Sequence, residues 1–196
     1  MKTIGYYTDP ALAESNTQTL RRAFDSGLTW LDNSYPLAYI GTIEDDSVPL
    51  VYLSGADSYD LRPNNSVGSY CFFELYRYDP GDEDDLGVYS MGVVFWVDLS
   101  KVDTSLTQDY TWGLISDVLR VMDNNGCYNI FVDTGDVFGR YNFEMDKQQL
   151  MRRFSGFKIT FDMYGLNTFC TFADGYRADT TYITADSTVY TADYAL

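Results

Sequence analysis

A chain of 196 residues is long enough for one well-buried core, and 45% hydrophobic with 17% aromatic residues is not a disordered composition. The net charge of −16 leaves too few clustered Lys and Arg to grip phosphate, which disfavours ordinary nucleic-acid binding. Histidine is absent, so Ser-His-Asp and Cys-His chemistry are excluded, and any zinc site would rest on Cys and carboxylate alone.

In chain order, Asp9-Pro10 predicts a helix start, with an N-cap acceptor before Pro at the first helical position. Ala13, Thr17, Leu20, Phe24 and Leu28 recur at helical spacing, and Gly27 is the expected terminator. Leu31 to Asp46 reads as loop or short strand around Pro36, and Val48 to Leu53 as a short strand. Tyr59 to Ser69 is turn chemistry throughout. Two long strands follow, YCFFELYRY (70–78) and VYSMGVVFWVDL (88–99), joined by the acidic DPGDEDDLG and expected to pair antiparallel.

Asp109 to Met122 predicts a second helix with Trp112, Ile115, Leu119 and Met122 on one face, stopped by Asn124-Asn125-Gly126. Tyr128 to Val132 reads as a strand and Glu144 to Phe154 as a third helix with a basic end at Arg152 and Arg153. Phe157, Ile159, Phe161 and Met163 alternate with Lys158, Thr160, Asp162 and Tyr164, which is a strand with one face inward. Thr168 to Phe172 is a possible hairpin partner. The expected class is α+β, a mostly antiparallel sheet packed against two or three helices. Residues 1–175 form the domain and 176–196 an extended C-terminal arm.

The three cysteines, Cys71, Cys127 and Cys170, are far apart and make no CxxC. YCFFEL and TFCTF are apolar contexts that predict buried thiols, and the odd count suggests a reducing compartment for folding. The N-terminal MKTIGYYTDP lacks the apolar stretch of a signal peptide, and no run approaches the roughly 18 apolar residues of a membrane span. No membrane partner is expected. The 18 Tyr and 12 Phe against 3 Trp suit surfaces that sit half-buried against other proteins, and serve a core equally well.

IFVDTGD (130–136) is the sharpest enzyme signal, because apolar residues followed by Asp133-Thr134-Gly135 present one carboxylate of an aspartic protease. Asp136 stands where that family carries a small residue, and a second charge there disturbs the sharing of one proton by two carboxylates. The rival reading of the motif is a strand ending in a polar turn. The window Asp133 to Glu144 lacks the ligands and turn glycine of a calcium loop, and no P-loop or GxGxxG is present. Exposed Tyr and Trp beside carboxylates would also suit a carbohydrate-binding module, although no spacing selects a pair from 29 acidic residues. No cofactor and no metal is expected.

MRRFSGFKITFDMYG (151–165) shows a basic helix end, then an aromatic-Gly-Phe step into an amphipathic strand. With the N-terminal helix, the strand group holding YCFFELYRY and VVFWVDLS, and the W..I...L..M helix, this resembles the head–tail connector and tail-completion (tail-terminator-like) proteins of tailed phages, those of gut Bacteroidetes in particular. The resemblance spans about residues 60 to 165. It implies a non-enzymatic structural virion protein made in the bacterial host cytoplasm. Such a protein forms a homo-oligomeric ring around the DNA channel and docks adjacent connector or tail proteins. DNA would pass without specific binding, kept off by like charge across a hydrated gap. Asp82, Glu83, Asp84 and Asp85 are the candidates for an acidic channel-facing loop.

The chain ends on ADTTYIT, ADSTVYT and ADYAL. Thr, Tyr, Ile and Val favour extended backbone, yet a repeat of seven flips faces at each copy of a regular strand. An arm that adds a strand to a neighbouring subunit resolves this, with Tyr182, Val189, Tyr190 and Tyr194 as its contact residues.

Overall fold

The computed structural model describes residues 10–52, 58–63, 68–80, 87–143 and 153–165. Helix α1 (Pro10–Gly27) leads into β1 (Asn33–Leu37), β2 (Tyr39–Ile43), β3 (Asp46–Tyr52) and β4 (Ser58–Asp60). The long strands β5 (Tyr70–Asp79) and β6 (Gly87–Asp98) come next, then the short helix α2 (Leu99–Val102) and a 3-10 turn (Gln108–Tyr110) continuous with α3 (Thr111–Asp123). β7 (Tyr128–Asp133) and β8 (Phe154–Gly165) complete the described elements. The class is α+β. Five strands form one sheet in the order β1-β5-β6-β8-β7, antiparallel except for the β1–β5 pair, and β2-β3-β4 form a second, antiparallel sheet.

The first part of β5 and the last part of β6 are covered on both faces of the large sheet, which is why YCFFEL and VVFWV read as nearly unbroken apolar runs. One face carries Phe73, Met91, Val93, Phe95, Phe157, Ile159 and Phe161 against α1 and α3. Ala13, Thr17, Leu20, Phe24 and Leu28 are all buried there, as the helical spacing predicts. The opposite face carries Tyr70, Phe72, Val94, Trp96 and Phe154, capped by Val51 of β3, Leu61 and Phe138. Beyond Leu75 this second cover ends, and residues 76, 77 and 79 are exposed.

Several expectations hold in detail. β5 and β6 pair antiparallel, with Tyr70 opposite Trp96 and Asp79 opposite Val88. Phe157, Ile159, Phe161 and Met163 face the core. Gly126 takes a left-handed φ of 73° after α3, while Asn124 and Asn125 return their side-chain amides to the carbonyls of Arg120 and Val121. Cys71 and Cys127 are buried free thiols, each pushed up to about 12 first by burial, so neither supplies a thiolate nucleophile near neutral pH.

Others are narrowed or corrected. The reading of residues 31–46 as loop or short strand narrows to the short strands β1 and β2, and Pro36 is accommodated because β1 is an edge strand whose register slips between Ser34 and Leu37. Tyr59 and Asp60 belong to β4 and not to a turn. α1 does end at Gly27, but without a left-handed residue there. A Cβ would sit 2.8 Å from Cγ2 of Val121, so Gly27 serves the close approach of α1 to α3. Trp112 does not share the buried face of α3, which consists of Leu114, Ile115, Val118 and Met122. Phe154, the expected end of a helix, begins β8 opposite Asp98. Asp9, Cys170, the acidic loop Asp82 to Asp85, residues 144–152 of the helix expected over 144–154, the partner strand at 168–172 and the arm with Tyr182, Val189, Tyr190 and Tyr194 lie outside the described residues. Among the described residues no helix is long and apolar enough to cross a membrane.

Candidate functional site

The segment after β7 is fixed at many points, and it builds the main cleft. Asp133 ends β7, and its Oδ1 accepts from the backbone N–H of Gly135 (2.8 Å) and Asp136 (3.1 Å). This is an Asx-type turn, in which the side chain replaces a turn carbonyl. The N–H groups of Asp136 and Gly135 hold its carboxyl below the usual carboxylate range, aided by the charge of Lys158. Lys158 is itself buried and donates to the Asp136 carbonyl at 3.1 Å. Phe138 then inserts into the second core against Phe72 and Trp96. At Gly139 a Cβ would lie 2.0 Å from the nearest carboxylate oxygen of Asp136, so a larger residue there would displace that carboxylate. Arg140 lies over the Tyr76 ring at 4.7 Å and donates to the Leu75 carbonyl at 3.1 Å. Asn142 exchanges two backbone hydrogen bonds of 2.9 Å with Ser47 of β3.

This loop forms one wall of a cleft of about 610 Å³, through residues 134–139 and Tyr141. The other wall is the start of α3, with Gln108, Asp109, Thr111 and Trp112, and Trp96, Phe154, Ser155 and Gly156 close the floor. The Thr111 and Ser155 hydroxyls lie 2.8 Å apart, and the Gln108 amide donates to the Phe154 carbonyl at 3.2 Å. The indole of Trp112 is 64% exposed at the rim, whereas Trp96 is buried and its Nε1–H has no acceptor among the described residues. Neither Asp109 nor Asp136 joins an ion pair among the described residues. The cleft is therefore aromatic and acidic, with neutral hydrogen-bonding groups at its base.

A second feature lies where the outer cover of the large sheet ends. Tyr76 is the bulged residue between Leu75 and Arg77, and its ring lies across Gly92, where a Cβ would approach it to 2.7 Å. The Tyr76 hydroxyl donates to Oε2 of buried Glu74 at 2.5 Å, and Oε1 of Glu74 has no partner among the described residues. Burial, and then the Glu74 charge, raise the Tyr76 phenol above its ordinary range. Asp162 accepts from Ser90 (2.7 Å) and Asn129 (2.8 Å) nearby.

Toward the open edge the same face becomes aromatic. Tyr128 stands opposite Asp162 and Phe131 opposite Thr160, so three residues of β7 span two of β8. The extra residue is absorbed around Asn129, which adopts a left-handed φ of 50°. Without this bulge, Tyr128 and Phe131 would point to opposite faces. With it, both share the outer face with Tyr164, which stacks on Tyr128 at a centroid distance of 4.7 Å. Phe131 is 66% and Tyr164 57% exposed.

Of the residues singled out from sequence, Asp133 is at the cleft margin, but as a turn-former. Trp112, Asp109, Asp136, Glu74 and Arg140 escaped sequence reasoning, because nothing along the chain announces that the starts of α3 and β8 meet the loop after β7. No known protein family, curated relative or solved structure matches this chain, and its surfaces and chemistry carry the functional reading.

Proposed function

We propose that the chain is a non-enzymatic structural virion protein of the head–tail junction or tail of a tailed phage, working as a homo-oligomeric ring around the DNA channel. The supporting observation is the aromatic face at the β7 edge. Phe131, Tyr128 and Tyr164 form a largely exposed apolar surface beside a strand that has one neighbour, β8, among the described residues. A bulge that costs ladder hydrogen bonds keeps these rings on one face. Open, apolar strand edges mark places where another chain adds.

The complement is the neighbouring subunit's arm, residues 176–196, whose Thr/Tyr/Val composition suits an added strand with Tyr182, Val189, Tyr190 and Tyr194 meeting the rings. A contact between two different patches is heterologous and closes into a ring when the rotation per subunit allows it. The net charge of −16 suits a channel that must not hold DNA, with Asp82 to Asp85 as its lining.

Two variants test this. Phe131→Lys and truncation after Arg177 should each leave the thermal unfolding transition intact and shift sedimentation velocity from the multimer to the monomer. Multimers that survive both changes would refute the edge-and-arm contact. Peptide cleavage at acid pH that disappears in Asp133→Asn would instead restore the aspartic-hydrolase reading, against which the turn bonds and lowered acidity of Asp133 argue.

A further inference from the structure

We infer that the cleft between the loop after β7 and the start of α3 binds a neutral oligosaccharide. Its geometry is preformed. The loop is pinned through Lys158, Phe138, Arg140 and Asn142, so the wall needs no ordering when a ligand enters. A volume of about 610 Å³ lies within the usual range for ligand sites.

The chemistry of the walls selects the class. Trp112 offers a broad, exposed indole at the rim, on which the apolar C–H face of a sugar ring can stack. The carboxylates of Asp109 and Asp136 join no ion pair among the described residues, Lys158 being held on the Asp136 backbone carbonyl, and each can take both O–H groups of a vicinal diol. At the base, the Thr111 hydroxyl donates to the Gln108 carbonyl and accepts from the Ser155 hydroxyl, so this pair offers acceptor oxygens, and the Gln108 amide beside it is a donor held on the Phe154 carbonyl. Trp96 in the floor adds a buried donor with no acceptor among the described residues.

Other ligand classes leave part of this inventory unused. An anion would meet two carboxylates and no Lys or Arg among the described lining residues. A purely apolar molecule would strip water from both carboxylates and return no hydrogen bond. A cation would satisfy the carboxylates and the indole but leave the hydroxyls and amide at the base without a role. A polyhydroxylated, uncharged chain engages all of them. This inference is independent of assembly, since the residues it uses lie outside the β7 aromatic face.

The test is calorimetric titration of the full chain with neutral hexasaccharides of β-1,4-glucose, α-1,4-glucose, β-1,4-xylose, β-1,4-mannose and β-1,4-N-acetylglucosamine, with hexalysine alongside. At least one sugar should bind saturably and quench tryptophan fluorescence. Trp112→Ala should weaken that binding about tenfold or more, Trp112→Tyr should restore most of it, and Asp136→Asn should weaken it as well. Circular dichroism and thermal unfolding should stay unchanged, because Trp112 is exposed. The inference fails if no sugar binds, if Trp112→Ala binds as tightly as the parent, or if only hexalysine binds in a Trp112-dependent manner.

Discussion

Replacing Phe95 with alanine should lower the free energy of unfolding by about 3–5 kcal/mol, the range for truncating a fully buried aromatic. Phe95 lies on β6, the middle strand of five, and is completely buried. It stacks on Phe157 of β8 at 4.8 Å and meets Phe24 of α1 edge-on at 5.5 Å, with Trp30 at 6.0 Å. One ring thus joins the sheet, the first helix and the turn after it. The cavity cannot collapse easily, because strands flank β6 on both sides and helices cover that face. Urea unfolding monitored by circular dichroism measures the loss. Phe131→Ala on the exposed edge is the control and should stay within about 0.5 kcal/mol of the parent. Comparable effects at the two positions would mean that the core is misassigned.

The second large effect concerns Asp98 and carries a pH signature. The Asp98 side chain is 2% exposed and receives both Nε and Nη2 of Arg153. It also caps α2, accepting from the backbone N–H and hydroxyl of Ser100. The Arg153 hydrogen bond is the first cause of a carboxyl held below its usual range. The backbone carbonyl of Arg153 accepts from Leu99 at 2.8 Å, so the end of β6 and the start of β8 are joined twice. Asp98→Ala should cost about 2–3 kcal/mol at neutral pH, combining a lost cap with a broken, half-exposed pair.

Because the folded state holds this carboxyl more acidic than the unfolded chain does, its contribution is complete above the unfolded value of about 3.9. It fades as the pH falls through the depressed folded value. The stability gap between parent and variant should therefore narrow when urea unfolding is repeated near pH 3. A gap of equal size at both pH values would show that charge has no part in the junction.

The long hairpin and β8 were legible from sequence because their signals are local. FKITFDM alternates strictly, and YCFFEL with VVFWV can only be strands buried on both faces. The N-terminal helix was equally plain, since every apolar position at its spacing is buried. What escaped depends on partners distant in the chain. Around Pro36 the sequence left loop and short strand open, and β1 accommodates the proline as a parallel edge beside β5. Trp112 fitted the helical period of its neighbours, yet it sits in the first turn of α3, past the edge of the core and over the cleft. Glu74 sits within the apolar run YCFFEL, buried at the boundary where the outer cover stops, and accepts from the Tyr76 hydroxyl.

The candidate site was less legible than the fold. IFVDTGD drew attention to the right segment for another reason. The residue types of a protease motif are also those of a strand that ends in an Asx turn, and Asp133 bonded to two backbone N–H groups follows the second pattern. The cleft needs three segments of chain that no spacing relates. The aromatic edge needs a bulge at Asn129 to bring Tyr128 and Phe131 to one face, and a strict alternation over β7 would have separated them.

The assembly reading makes one demand that does not depend on either proposed contact residue. A ring subunit has a defined stoichiometry. Native mass spectrometry of the full chain, from low to high micromolar concentration, should give one discrete closed multimer with a fixed integer number of subunits. A strictly monomeric mass throughout that range would contradict the account.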